Sequence, residues 1–213
     1  MCIRDREGVL PSAFELVPRE TLRLVGEEAR GEVLLCEFDG SRAETEWARE
    51  VLRRLIKGHP CEVREGEGER ESIWSWWGRI YFRLLGLGPV PVAEDFGVPP
   101  KEVGSLLRSI LEVSGEEGIP VGLLSHQADG TIHCIICGSR DRWDDVQRLR
   151  ERLYKVVLSK GGTITAEHGL GLYRSLFAPM ELGPSLRIMK AIKRAIDPQG
   201  LMNPGKLALG DGT

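Results

Sequence analysis

Residues 119–138 read IPVGLLSHQADGTIHCIICG, two apolar runs of strand length separated by a short polar step that ends in Asp-Gly. Asp-Gly between apolar runs is a strong hairpin signal, because the favoured two-residue type I′ turn needs positive φ at both central residues. The hairpin commits this part of the chain to antiparallel pairing. With Asp129 and Gly130 in the turn, Ala128 faces Thr131, Gln127 faces Ile132 and His126 faces His133. Directly opposed residues share a sheet face, with Cβ atoms about 4.5–5.5 Å apart.

The rest of the chain supplies partners for that hairpin. GEVLLCEFDG (31–40) reads as a strand closed by a turn, and PCEVREG (60–66) as a second, short strand. PVPVAEDFGVPP (89–100) is an extended, proline-bounded segment. Apolar residues at helical spacing mark 41–58, 69–86, 101–118 and 140–162 as helices, the first and last stopped by glycine. The order suits an α+β fold, with an antiparallel sheet carrying helices on one face and ferredoxin-like elements. From Gly162 on, glycine-punctuated loops surround one clear helix, Pro184 to Ala195, and loops of that composition often carry function. The division expected is a substrate domain over 30–162 and a C-terminal active-site loop, helix and tail over 163–213.

Two imidazoles on one sheet face can converge on a single metal ion with bonds of about 2.0–2.1 Å. The same pair without metal is a hydrogen-bonded couple on a solvated sheet, and the hairpin alone leaves both readings open. TAEHGLG (165–171) offers the missing parts, Glu167 and His168 side by side in a glycine-pinned loop. Glu167 with His126 and His133 makes a two-histidine, one-carboxylate set with open positions, which suits zinc, manganese, iron or cobalt. His168, turned a different way from its neighbour, would stand beside the metal as a general base. Cys134 and Cys137 fall on a strand too far apart for a redox pair and read as packing residues. His59, at a turn, takes no part.

Charge and cysteine content narrow the function classes. A net charge of -3 with basic residues scattered among acids argues against nucleic acid or an anionic membrane as the main partner. No apolar run approaches the roughly 20 residues needed to span a bilayer. Five cysteines without repeated spacing fit a reducing compartment, the cytoplasm or the cytoplasmic face of a membrane complex. MCIRDR at the start does not fit the pattern of its neighbouring residues. It resembles a translated adapter remnant, so residues 1–8 are set aside from the fold and the natural protein is expected to continue upstream.

Five segments in order resemble one known family. SHQADGTIHCII, GGTITAEHGLG and DPQGLMNPGK resemble C-terminal signatures of FAD-linked oxidases of the vanillyl-alcohol oxidase class, nearest the glycolate oxidase catalytic subunit and the D-lactate and D-2-hydroxyglutarate dehydrogenases. VAEDFGVPP resembles the start of a strand in their substrate domain, and LPSAFELVPRETL, within 9–29, resembles the link that comes after their flavin-binding domain.

The resemblance implies that His126, His133 and Glu167 bind a divalent metal, zinc or similar, and that His168 takes the hydroxyl proton of a small 2-hydroxy acid as hydride passes to FAD. It implies Asn203 near the flavin ring, and Arg79, or Arg83 in competition with it, as the holder of the substrate carboxylate. Thr131 departs from the family's asparagine at that step. No strand, glycine-rich loop and helix start together as a phosphate cradle, so the expectation is a fragment without its FAD-binding domain, inactive alone. The electron acceptor is open among oxygen, quinone, a cytochrome and an iron–sulfur partner subunit. A stand-alone metal-binding module and a metal-activated hydrolase are the alternatives.

Overall fold

The structure, a computed structural model, describes residues 8–209. The adapter-like residues Met1 to Arg6 and the last four residues lie outside the described ones. Five strands form one antiparallel sheet in the order β2-β1-β4-β5-β3. They are β1 (Ala13–Val17), β2 (Val33–Glu37), β3 (Val90–Gly97), β4 (Val121–His126) and β5 (Thr131–Gly138). The helices are α1 (Arg19–Leu24), α2 (Arg42–Leu55), α3 (Glu67–Leu85), α4 (Val103–Glu117), α5 (Trp143–Ser159), α6 (Ala178–Leu182) and α7 (Ser185–Ile196). The fold is α+β, as expected. Its ferredoxin-like part is a split β-α-β unit, in which β3, α4 and β4 leave room for β5 between the two strands.

Strand alternation sends the two faces of the sheet into different cores. Val92, Phe96, Leu123, Ile132, Cys134 and Ile136 pack with Leu106 and Ile110 of α4 and Leu149, Leu153 and Tyr154 of α5. Val17, Leu124 and Ile135 face the other way, against Leu22 of α1 and Ile80 and Leu84 of α3. Helices therefore cover both faces, not one. The second core is small because that face also carries Glu15, Asp95, His126 and His133. Gly122 lets α3 lie close over β4, since a Cβ there would overlap the Leu84 side chain.

Three further expectations are corrected. PCEVREG forms no strand; its one large apolar residue, Val63, is exposed, so the segment has nothing to bury by pairing. Residues 9–29, expected as a link, contribute β1 to the sheet interior and α1 to the second core. Thr21 of α1 ties into β4, its hydroxyl donating to Leu123 O at 3.0 Å and accepting from Leu123 N at 2.8 Å. The hairpin register also differs by two residues, since His126 pairs with Thr131 and Leu124 with His133. Asp129 does not take positive φ, so the type I′ turn is not formed. Instead His126 O accepts from Gly130 N at 3.0 Å, and Asp129 Oδ1 accepts from Thr131 N at 2.8 Å, closing a four-residue loop.

The open edge of β3 is where the C-terminal segment docks. Thr163 and Gly97 exchange backbone hydrogen bonds at 2.8 and 3.1 Å, Ala166 N reaches Asp95 O at 3.4 Å, and Arg174 Nη2 reaches Ala93 O at 3.3 Å. Alternate residues 93, 95 and 97 thus have their outward carbonyls satisfied, which removes an exposed sheet edge. From α6, Glu181 accepts the Thr163 hydroxyl at 2.7 Å and Ile164 N–H at 2.8 Å. Strand and loop are held in register from both sides.

Candidate metal and acid–base site

The site lies on the α3 face of the sheet, where β4, β5 and the docked loop meet. His126 and His133 are diagonal neighbours in the register, a placement whose Cα separation of roughly 7–8 Å long side chains still bridge. Their Nε2 atoms stand 3.0 Å apart. Glu167 comes from the loop, with Oε1 at 4.0 Å from His126 Nε2 and Oε2 at 3.8 Å from His133 Nε2. One ligand atom from each of the three residues fits within 4.8 Å of the others. Hydrogen-bonded rings account for the nitrogen pair, while the carboxylate stands beyond hydrogen-bond reach of both. Ligand atoms bound tetrahedrally at 2.0–2.1 Å are about 3.3 Å apart. For one ion the nitrogen pair at 3.0 Å would open slightly, and the exposed Glu167 carboxylate, at 3.8 and 4.0 Å, would close by roughly half an ångström or more.

Each histidine has its own support. Glu15 of β1, opposite His126 in the register and nearly buried, places Oε2 at 2.7 Å from His126 Nδ1. That contact turns Nε2 toward the site, and donation from the His126 ring to the Glu15 carboxylate pushes the His126 pKa up. The His133 pKa moves down, chiefly through burial, with the neighbouring His126 adding to it. From α3, the Trp77 ring lies 5.8 Å from the His126 ring and Tyr81 meets His133 edge-on at 6.4 Å. Asp95, opposite His133 on β3, accepts from Glu167 N at 2.5 Å and His168 N at 3.0 Å.

His168 stacks beside His133, ring centres 5.7 Å apart, with Nδ1 at 3.2 Å from Asp95 Oδ1. Its side chain and that of Glu167 are 47% and 44% exposed, so this side of the site is open to a small molecule. The structure thus brings four sequence-expected residues together: His126, His133, Glu167 and His168.

It does not bring the arginines. Trp77 and Tyr81 mark the site-facing side of α3, and Arg79 lies about 180° around the helix from it, exposed to solvent. Arg83 pairs with Glu27 instead, beyond the end of α1. Their expected role on a substrate carboxylate is not matched by their placement, because the sequence alone gives no phase for α3 relative to the sheet. Asn203 sits after α7 at φ 47°, on a recess of about 240 Å³ that Lys193, Arg194 and Lys206 also line. Glu15, Asp95 and Arg174 were missed. The signal for the two acids is a carboxylate inside an apolar strand run, FELV and AEDF, where burial of charge demands a partner such as Arg174.

The cluster thus lies on the central hairpin of an antiparallel sheet that is covered by helices on both faces. The model of the family described as FAD linked oxidases, C-terminal domain, matches residues 2–207, and the chain belongs to that family. It is 27% identical over 213 residues to glycolate oxidase subunit GlcD of Bacillus subtilis, covering 93% of this chain and 45% of that protein. With the probable mitochondrial D-lactate dehydrogenase of Danio rerio the identity is 31%, over 82% of this chain and 37% of the relative. With a D-lactate dehydrogenase of Archaeoglobus fulgidus it is 32%, over 93% and 46%. The chain thus spans less than half the length of these curated relatives. Among solved structures, 4-ethylphenol oxidase from Gulosibacter chungangensis, in its isoeugenol complex, shares the fold at a TM-score of 0.58 and 17% identity, over 95% of this chain and 48% of that one. No helix among the described residues is long and apolar enough to cross a membrane.

Proposed function

We propose that this chain is the substrate- and metal-binding part of a flavin-dependent oxidoreductase that converts a 2-hydroxy acid to a 2-oxo acid. The observation that carries the reading is the convergence of His126, His133 and Glu167 beside an accessible His168. Relatives named glycolate oxidase and D-lactate dehydrogenase support the substrate class, both substrates being small 2-hydroxy acids.

Two imidazoles and a carboxylate would hold zinc or a similar divalent ion, which supplies Lewis acidity toward an alcohol oxygen. His168 Nδ1 faces Asp95, so Nε2 is the atom left to take the substrate's hydroxyl proton. Glu15 orients His126 and Asp95 orients the loop. FAD supplies the hydride acceptor when bound. The described residues hold no strand, glycine loop and helix that would cradle its pyrophosphate, so its main binding determinants are assigned to another part of the protein. Asn203, which shares a recess with Lys193, Arg194 and Lys206, is the residue of this chain proposed to meet it.

The test is the metal content of the purified chain, with and without joint replacement of His126 and His133 by Ala. About one divalent ion per chain, lost in the double variant, is the expected result. Absence of metal after dialysis against zinc would overturn the metal assignment.

A further inference from the structure

We infer that Asp95, clamped by Arg174, is a positioning residue that sets both the direction of Glu167 and the tautomer of His168. Asp95 is fully buried, and its two oxygens divide their work. Oδ2 accepts the backbone N–H groups of Glu167 and His168 at 2.5 and 3.0 Å. Oδ1 faces Arg174 Nη2 at 2.7 Å and His168 Nδ1 at 3.2 Å.

Arg174, 4% exposed, grips the same loop from its other side, with Nη1 donating to Gly169 O at 2.8 Å and Nε to Glu94 Oε2 at 2.6 Å. Glu94 and Asp95 are consecutive on β3 and point to opposite faces of the sheet. A single guanidinium reaches both because β3 is the edge strand and Arg174 wraps around it. Three consecutive loop residues, 167 to 169, are therefore fixed by one buried ion pair.

The chemical consequence is directional. Among the described residues Asp95 Oδ1 meets no donor in hydrogen-bond geometry. A carboxylate nonetheless accepts and cannot donate, so its charge 3.2 Å from Nδ1 favours the proton on that nitrogen. That leaves Nε2 of His168 unprotonated in the neutral ring, on the side away from Asp95. The loop's backbone is fixed at the same atoms, which sends the Glu167 side chain toward the two histidines. What Asp95 serves rests on the proposed metal-and-base function. The tautomer it imposes does not.

The experiment uses the full 213-residue chain labelled with ¹⁵N-histidine, and long-range ¹H–¹⁵N correlation at mildly alkaline pH to read the His168 tautomer. The same samples are then titrated with zinc ion alone. The wild type is expected in the Nδ1–H form. Asp95→Asn presents an amide that can donate as well as accept. It is expected to lose the Nδ1–H preference and to bind zinc about 10–100-fold more weakly, the usual cost of removing an outer-shell partner.

Tyr154→Phe is the control, since it removes the buried hydroxyl that donates to Glu94 at 2.7 Å without touching Asp95 or Arg174. It is expected to lower stability while leaving the tautomer and zinc affinity unchanged. A folded Asp95→Asn chain with the wild-type tautomer overturns the inference, as does an equal tautomer change in Tyr154→Phe. Should Asp95→Asn fail to fold, an Nε2–H His168 in the wild type overturns it instead. Zinc failing to bind the wild type while the tautomer follows Asp95 would remove the metal assignment and uphold this one.

Discussion

At the scale of single residues, the site is a set of ligand candidates with acids behind them. Its histidines were legible because side-chain direction in a strand has period two. The turn chemistry expected of Asp129-Gly130 was wrong, yet the observed register differs by two residues, so His126 and His133 kept a common face. A difference of one would have separated them. The acids were not legible in the same way, because nothing in FELV says which histidine Glu15 will meet across the sheet. Its effect is nonetheless specific. Glu15→Gln keeps the side chain's size but weakens the pull on His126 Nδ1, and divalent-ion affinity should fall about 10–100-fold. Calorimetric titration with zinc, alongside a melting curve, checks this. Unchanged affinity in a folded variant would show that Glu15 is only a buried acid with a convenient neighbour.

At the scale of elements, five of the seven helices among the described residues and four of the five strands are legible in the sequence, whereas α1, α6 and the placement of all of them are not. The sequence shows α3 as an aromatic-rich helix but not which side of the sheet it covers. Its residues Arg79 and Arg83 therefore read as site residues, although Trp77 and Tyr81 are the ones that face the histidines. β1 reads as a linker in sequence because its strand of five residues is short and interrupted by Glu15. The close approach of α3 to β4 depends on Gly122 having no side chain. Gly122→Ala forces Leu84 out of its position and should destabilise the chain by about 1–3 kcal/mol. Leu84→Ala alone should cost about 2–5 kcal/mol by leaving a cavity. Because the second change makes room for the first, the double variant should lose clearly less than the sum, as contacting residues do not add. Urea unfolding of the four chains measures the coupling. Additive losses would mean that the contact between α3 and β4 is not what Gly122 protects.

At the scale of the whole molecule, the site joins parts that lie far apart in the chain. His126 and His133 belong to the hairpin at the middle of the sheet, while Glu167 arrives with the segment that closes the β3 edge. An ion held by all three would tie the C-terminal segment to the sheet, and binding to the folded chain alone would appear as stability. Free zinc at 100 times its dissociation constant adds about 2.7 kcal/mol. For a chain of this length each kcal/mol raises Tm by roughly 2–4 °C, so the expected shift is roughly 5–11 °C. Replacing Glu167 by Gln should reduce the shift more than it lowers the metal-free Tm, since the loop stays pinned by Asp95, Arg174 and Glu181 through backbone atoms. The same ion should slow amide exchange at Thr163 and Ala166, whose bonds to β3 must break for the loop to leave. Slower exchange there without a shift in Tm would confine the ion's effect to the loop. A shift in Tm that survives in Glu167→Gln would place the ion on the hairpin alone, and the loop would then be a neighbour of the metal rather than part of its cage.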